Sequence, residues 1–215
     1  MIARLVAALA VMGLVSCTTG DGCARSGTCA CNNCPQASLS EADSGSSVDF
    51  PQGYRVEVTL SETATGAVQG GTLAVTDDNV LLVQEASYGH AMQFVTGRPG
   101  HARVTVAGTS FAVDVVVHRW PPRGDNVLNP YNPVTVSARV GDEFGIRFYT
   151  SDRVPTTVVS GDNGTVQVLD TFTAPGRGGG DHFGVFRAVG RGTTNVTVTA
   201  GEAPLYPIKV KVASG

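Results

Sequence analysis

Five cysteines carry the clearest chemistry in this 215-residue chain, and all lie within its first 34 residues: Cys17, Cys23, Cys29, Cys31 and Cys34. The last four sit among Gly, Ser, Thr, Asn and Ala, a composition too poor in apolar side chains to bury a core. In an oxidising compartment four thiols make two disulfides, in one of three pairings. The spacing Cys31-Asn32-Asn33-Cys34 also suits a soft metal. No His stands beside it, so disulfides are the expected state, with no metal and no cofactor. A C-x-x-C redox role would need a βαβ context that the flanking residues do not offer.

Elsewhere no catalytic set assembles. His90, His101, His118 and His182 are scattered and show no H-E-x-x-H spacing. They read as surface or strand-end residues. No G-x-S-x-G elbow occurs. Gly176-Arg177-Gly178-Gly179-Gly180 lacks the following Lys-Ser/Thr of a phosphate cradle and reads as a wide, mobile loop between strands. Asp77-Asp78-Asn79 and Asp162-Asn163-Gly164 lack a full calcium ligand set and read as turns. Arg123-Gly124-Asp125 falls in a candidate linker. The expectation is a protein that is not an enzyme. The net charge is −3 with no basic stripe, which excludes nucleic acid as a partner.

The elements that position these residues begin with an address. Arg4 supplies a short positive region, and Leu5 to Val15 an apolar stretch too short to span a bilayer. Leu14-Val15-Ser16-Cys17 resembles the lipobox of bacterial lipoproteins. That resemblance implies cleavage after Ser16, a diacylglycerol on the Cys17 sulfur, and acyl chains such as palmitate holding the protein to a membrane. Thr18, not Asp, follows the cysteine, which favours the outer membrane or cell surface. Residues 1–16 are therefore expected to be a signal peptide and 17–49 a lipidated, Cys-rich flexible tether, with Ser, Ala, Glu and Asp prominent from Pro35 to Val48.

From Tyr54 the apolar period is two. Tyr54, Val56, Val58 and Leu60 alternate with Arg55, Glu57 and Thr59. Further strands are expected at Thr72 to Val75, Val80 to Gln84, Met92 to Thr96, Ala102 to Ala107 and Phe111 to Val117. The Trp120-Pro121-Pro122 stretch interrupts them. Alternation resumes at Val134, Val136, Ala138 and Val140. It continues through Phe144, Ile146 and Phe148, then Val166 and Val168, His182 to Val189, Thr193 to Thr199, and Ile208, Val210 and Val212. The predicted organisation is all-β, two tandem Ig-like antiparallel sandwiches of about seven strands each. One spans 50–118 and the other 133–215, with a linker over 119–132.

The halves repeat. Phe94-Val95-Thr96-Gly97-Arg98-Pro99-Gly100 through Val106-Ala107-Gly108 parallels Phe186-Arg187-Ala188-Val189-Gly190-Arg191-Gly192 through Thr199-Ala200-Gly201. Asp77 to Val83 loosely parallels Asp162 to Val168. A duplicated domain follows. This pattern resembles bacterial Ig-like domains of the BIG2 type, which implies surface or periplasmic spacer or adhesive modules.

The second half also resembles the chagasin-type inhibitors of papain-like cysteine proteases, Ig-like folds that use three loops at one end. Pro155-Thr156-Thr157 keeps the P-T-T core of the first loop, with Val158 where Gly is expected. Gly176 to Gly180 supplies the Gly-rich loop, in particular Gly178, Gly179 and Gly180. The third loop departs: Pro204 and Tyr206 stand in Glu202-Ala203-Pro204-Leu205-Tyr206, without R-P-W.

The functional expectation is a membrane-anchored envelope lipoprotein that acts as a binding or spacing module. Its partners would be the lipid membrane and an envelope or extracellular protein. The alternative is a cysteine protease inhibitor.

Overall fold

The computed structural model describes residues 36–61, 72–84, 92–121, 126–128, 135–150, 156–160, 164–176, 179–200 and 203–215. The cysteines, Arg123-Gly124-Asp125, Pro155 and Gly178 lie outside them. Among the described residues sixteen strands run in two sets of eight. The first set is β1 (Gln36–Leu39), β2 (Ser47–Pro51), β3 (Arg55–Val58), β4 (Leu73–Val75), β5 (Leu81–Gln84), β6 (Met92–Thr96), β7 (Gly100–Val106) and β8 (Ala112–His118). The second is β9 (Asn126–Leu128), β10 (Thr135–Arg139), β11 (Glu143–Thr150), β12 (Thr156–Ser160), β13 (Val166–Gly176), β14 (Gly179–Ala188), β15 (Gly192–Ala200) and β16 (Ala203–Ala213).

Each set makes two four-stranded sheets, β1-β3-β6-β5 with β2-β8-β7-β4, and β9-β11-β14-β13 with β10-β16-β15-β12. Adding eight to every strand of the first sandwich reproduces the second, so the duplication read from sequence extends to the full topology. Each sheet is antiparallel except for one parallel pair: β1 on β3, β2 on β8, β9 on β11 and β10 on β16. The opening segment of each sandwich thus divides between the two sheets, which raises the strand number from the expected seven to eight.

Two differences from the sequence reading follow. Residues 36–49, expected in the tether, form β1, a 3₁₀ turn at Glu41–Asp43, and the first part of β2. The reason is Ala37, Leu39, Val48 and Phe50, which are buried in the first core. Four such residues, in two short strands flanked by Ser and Asp, are too sparse to show as a period. Residues 126–128, expected in the linker, pair with β11.

The equivalent turns of the repeat share one steric device. Gly97 donates its N–H to the Val80 carbonyl, and a Cβ on Gly97 would be driven into the Asn79 carbonyl. In the second sandwich Gly190 donates to the Thr165 carbonyl, and a Cβ there would meet the Gly164 carbonyl. Only a residue without a side chain lets these backbones approach so closely.

Core assignment does not follow the sequence boundary. Val136, Ala138, Phe144, Ile146, Val166, Phe186, Ala188, Val196, Ile208, Val210 and Val212 form the second core. Phe172, Ala174, Phe183 and Val185, on strands of the second sandwich, belong instead to the core of the first. On β14 this is the pleat: 186 and 188 face one way, 183 and 185 the other. On β13 it is a bulge at Leu169. Val168 pairs with Phe186, but Asp170 pairs with Val185 and Phe172 with Phe183. The extra residue sends Phe172 and Ala174 to the face opposite Val166 and Val168, although all four have the same sequence parity. There β13 lies against both β1 and β2, the edge strands of the two sheets of the first sandwich.

Candidate functional site

Two places bring chemistry-bearing residues together. One is the end of the second sandwich that borders the candidate loops. The other is the seam between the sandwiches, which the sequence did not announce.

At the loop end, strand register does the placing. Thr150, the last residue of β11, pairs with Gly180, and Gly176 pairs with Gly179. Thr156 and Thr157 open β12 and pair with Ala200 and Thr199, which in turn pair with Ala203 and Pro204. The strand ends at Thr150, Thr156, Gly176, Gly179, Ala200 and Ala203 therefore lie at one end of the sandwich. The Gly-rich stretch is not the wide loop expected: with Gly176 paired to Gly179, two residues connect β13 to β14. Pro204 and Tyr206 lie within β16 and not in the turn before it. The register slips beside them: Val196 pairs with Ile208 but Val198 with Leu205. Pro207, which has no N–H to give to a ladder, falls in that irregularity.

The seam is built on aromatics. Phe183 stacks on Phe172 with centroids 4.9 Å apart, and receives Tyr54 and Trp120 edge-on at 5.8 and 5.1 Å. These are the offset and T-shaped arrangements that ring quadrupoles prefer. Gly145 makes room for Trp120, since a Cβ there would lie 2.6 Å from two indole carbons. Thr96 fixes the turn that carries Tyr54. Its hydroxyl accepts the Tyr54 N–H at 2.7 Å and donates to the Pro51 carbonyl at 2.7 Å.

Over this apolar floor lies a buried charge. The Asp181 carboxylate accepts the Arg147 guanidinium as a fork, at 2.8 and 3.2 Å, and the Tyr54 hydroxyl at 3.0 Å. Arg147 also stands 5.6 Å above the Tyr54 ring. Burial, reinforced by the Asp181 charge, pushes the Tyr54 phenol far above its ordinary range, so it stays a donor. A buried carboxylate is tolerable when paired and fully hydrogen-bonded in this way. Arg119 and Arg187 both pair with Glu143 at the rim, at 3.1 and 2.6 Å.

His118 completes the seam. Its Nε2 is 2.8 Å from an Asp49 oxygen, its Nδ1 2.7 Å from an Asp170 oxygen, and its ring stacks on Phe172 at 4.0 Å. Burial works against its protonation, but the hydrogen bonds and charges of the two aspartates raise it above the ordinary value. His182, expected at a surface or strand end, is instead fully buried on β14. Its Nδ1 is 2.9 Å from the Thr173 hydroxyl. Burial outweighs the Asp181 charge and holds it below the usual range, so the neutral ring is favoured. Among the described residues no group of three or more His, Cys, Asp or Glu side chains is placed to hold a metal ion.

Sequence reasoning missed the seam residues because each is ordinary alone. One signal was present: Gly145 interrupts Phe144-x-Ile146-x-Phe148 on the outward face, and a Gly inside a strand marks close approach by another element.

Comparison with known proteins gives fold-level likenesses only. No family model matches the chain, and no curated protein matches it. Among solved structures, domains 4 and 5 of the S-layer protein SbsC are 19% identical over 72% of this chain and 81% of that one, with a TM-score of 0.33. The cysteine protease inhibitor EhICP2 from Entamoeba histolytica is 14% identical over 42% of this chain and 94% of its own, at 0.32. InvD of Yersinia pseudotuberculosis is 16% identical over 69% and 48%, at 0.28. Likenesses this distant carry no argument about function.

Proposed function

We propose that the chain is an exported, non-enzymatic module whose two sandwiches act as one stiff body, holding the loop end of the second toward a protein partner. The seam supports this reading. A shared aromatic cluster and a buried Arg147–Asp181–Tyr54 network, with Asp181 next to the Gly180 that borders the loop end, tie one sandwich to the other as a spacer needs. The anchor we assign is a lipid on Cys17, on the strength of the lipobox. Labelled lipid entering a Cys17→Ser chain would remove that anchor.

The stiffness is measurable. Spin labels at Arg103 on β7 and Ser137 on β10, in a soluble form starting at Gln36, should report one narrow distance distribution. A broad or multiple distribution would refute a spacing role.

A second reading is inhibition of a papain-like cysteine protease by the loop end. The observation favouring it is the register that brings the strand ends at Thr150, Thr156, Gly176, Gly179, Ala200 and Ala203 to one end of the sandwich. Titration of such a protease should give saturable inhibition that weakens on changing Thr156 or Gly179. No inhibition at micromolar protein would leave only the first reading.

A further inference from the structure

His118 is the last residue of β8 and sits where the first sandwich hands the chain to the second. Each of its ring nitrogens faces a carboxylate oxygen within 2.8 Å. A neutral imidazole has one donor and one acceptor nitrogen, and an ionised carboxylate only accepts. With both aspartates ionised, the neutral ring can satisfy one of them and must turn a lone pair toward the other. The imidazolium satisfies both. Asp49 belongs to β2 of the first sandwich and Asp170 to β13 of the second, so the contact to Asp170 crosses the seam.

We propose that His118 is a protonation-operated latch between the sandwiches: as the imidazolium it ties Asp49 to Asp170, and as the neutral ring it holds only one of them. Asp170 is already fixed from its own side, where its second oxygen accepts the Thr171 N–H at 2.8 Å. Its oxygen therefore cannot swing away without disturbing the bulge that aims Phe172 into the first core. Loss of the proton leaves one of the two contacts as carboxylate against lone pair, next to the Phe172 ring on which His118 stacks.

Among the described residues the groups facing His118 are few. β2 offers Asp49 and β13 offers Asp170. On β7, His101 pairs with Val116 on the same face of the sheet and is exposed. The guanidinium of the adjacent Arg119 is taken by Glu143. The sign follows. The folded state holds this proton more tightly than the unfolded chain, so the stabilisation is complete below the unfolded value near 6.5 and fades as pH rises through the folded value above it. The latch closes toward acid and opens toward alkali.

The test uses the whole chain between pH 5 and 9. The His118 ring is titrated by NMR, and amide exchange of peptides from β2 and β13 is followed after correction for the intrinsic pH effect. In the native chain both peptides should lose protection as His118 deprotonates, while β15 keeps its protection. The step should vanish in His118→Gln, move to lower pH in Asp170→Asn, and persist in His101→Asn. Flat protection at β13 while His118 titrates would overturn the proposal. So would a step that survives in His118→Gln, or one that disappears in His101→Asn. If His118→Gln does not fold, the shift or its absence in Asp170→Asn decides alone.

Discussion

Phe183→Ala is the sharpest probe of the seam. Phe183 is 2% exposed and touches three other rings, so truncation removes a full aromatic side chain and leaves a cavity walled by Tyr54, Trp120 and Phe172. Such changes cost about 3–5 kcal/mol. With a urea slope of roughly 2 kcal/mol/M, the unfolding midpoint should fall by about 1.5–2.5 M. The informative point is where the cost appears. Phe183 lies on a strand of the second sandwich but in the core of the first. Phe186, three residues on, lies in the core of the second. If the seam couples the sandwiches, Phe183→Ala and Phe186→Ala shift one and the same transition. The assay is urea unfolding followed by emission of the chain's single tryptophan, which sits in the seam, and by far-UV circular dichroism. Two separated transitions in the native chain, or a Phe183→Ala shift under about 0.5 M, would refute the shared-core argument.

Three further outcomes are expected. Gly145→Ala pushes a methyl into Trp120 and should cost about 1–3 kcal/mol, with a shift in tryptophan emission that Gly141→Ala, strained at φ +94° but with nothing within 4 Å of its Cβ, does not produce. Thr96→Val keeps the shape but strips the Tyr54 N–H and Pro51 carbonyl of their partner, and should cost about 1–3 kcal/mol by urea unfolding. Gly97→Ala and Gly190→Ala should each lower the thermal midpoint by a similar amount, because each drives a Cβ into the equivalent carbonyl of its own sandwich. A large loss at one with none at the other would argue against the shared device.

Much of the fold was legible because it is written in a period of two. Val104 and Val106 alternate with Arg103 and Thr105, Val113 and Val115 flank Asp114, and the structure buries all four as expected. The repeated Gly97 and Gly190 signalled the duplication, and the structure supplies the steric cause. What stayed hidden had specific causes. The opening strands carry only two core residues each. The bulge at Leu169 reverses which face Phe172 occupies without altering sequence parity, so no periodicity argument can detect it. The seam joins Asp49, Tyr54, His118, Trp120, Arg147, Asp170 and Asp181, residues whose juxtaposition depends on how two folded units meet. Pro155, Gly178 and the N-terminal cysteines remain expectations of sequence alone.

The hairpin of β13 and β14 also gives the chain a direction in time. Synthesis delivers the first sandwich with its β1 and β2 edges complete but without Phe172, Ala174, Phe183 and Val185, which lie more than fifty residues further along. Until they arrive, the newborn N-terminal half exposes an apolar flank and unpaired strand edges, the features that invite wrong association. A duplicated chain of this kind shares one core between its copies, and the first unit cut out alone should be less stable than in the whole chain, with the apolar flank that Phe172 and Phe183 cover left open to water.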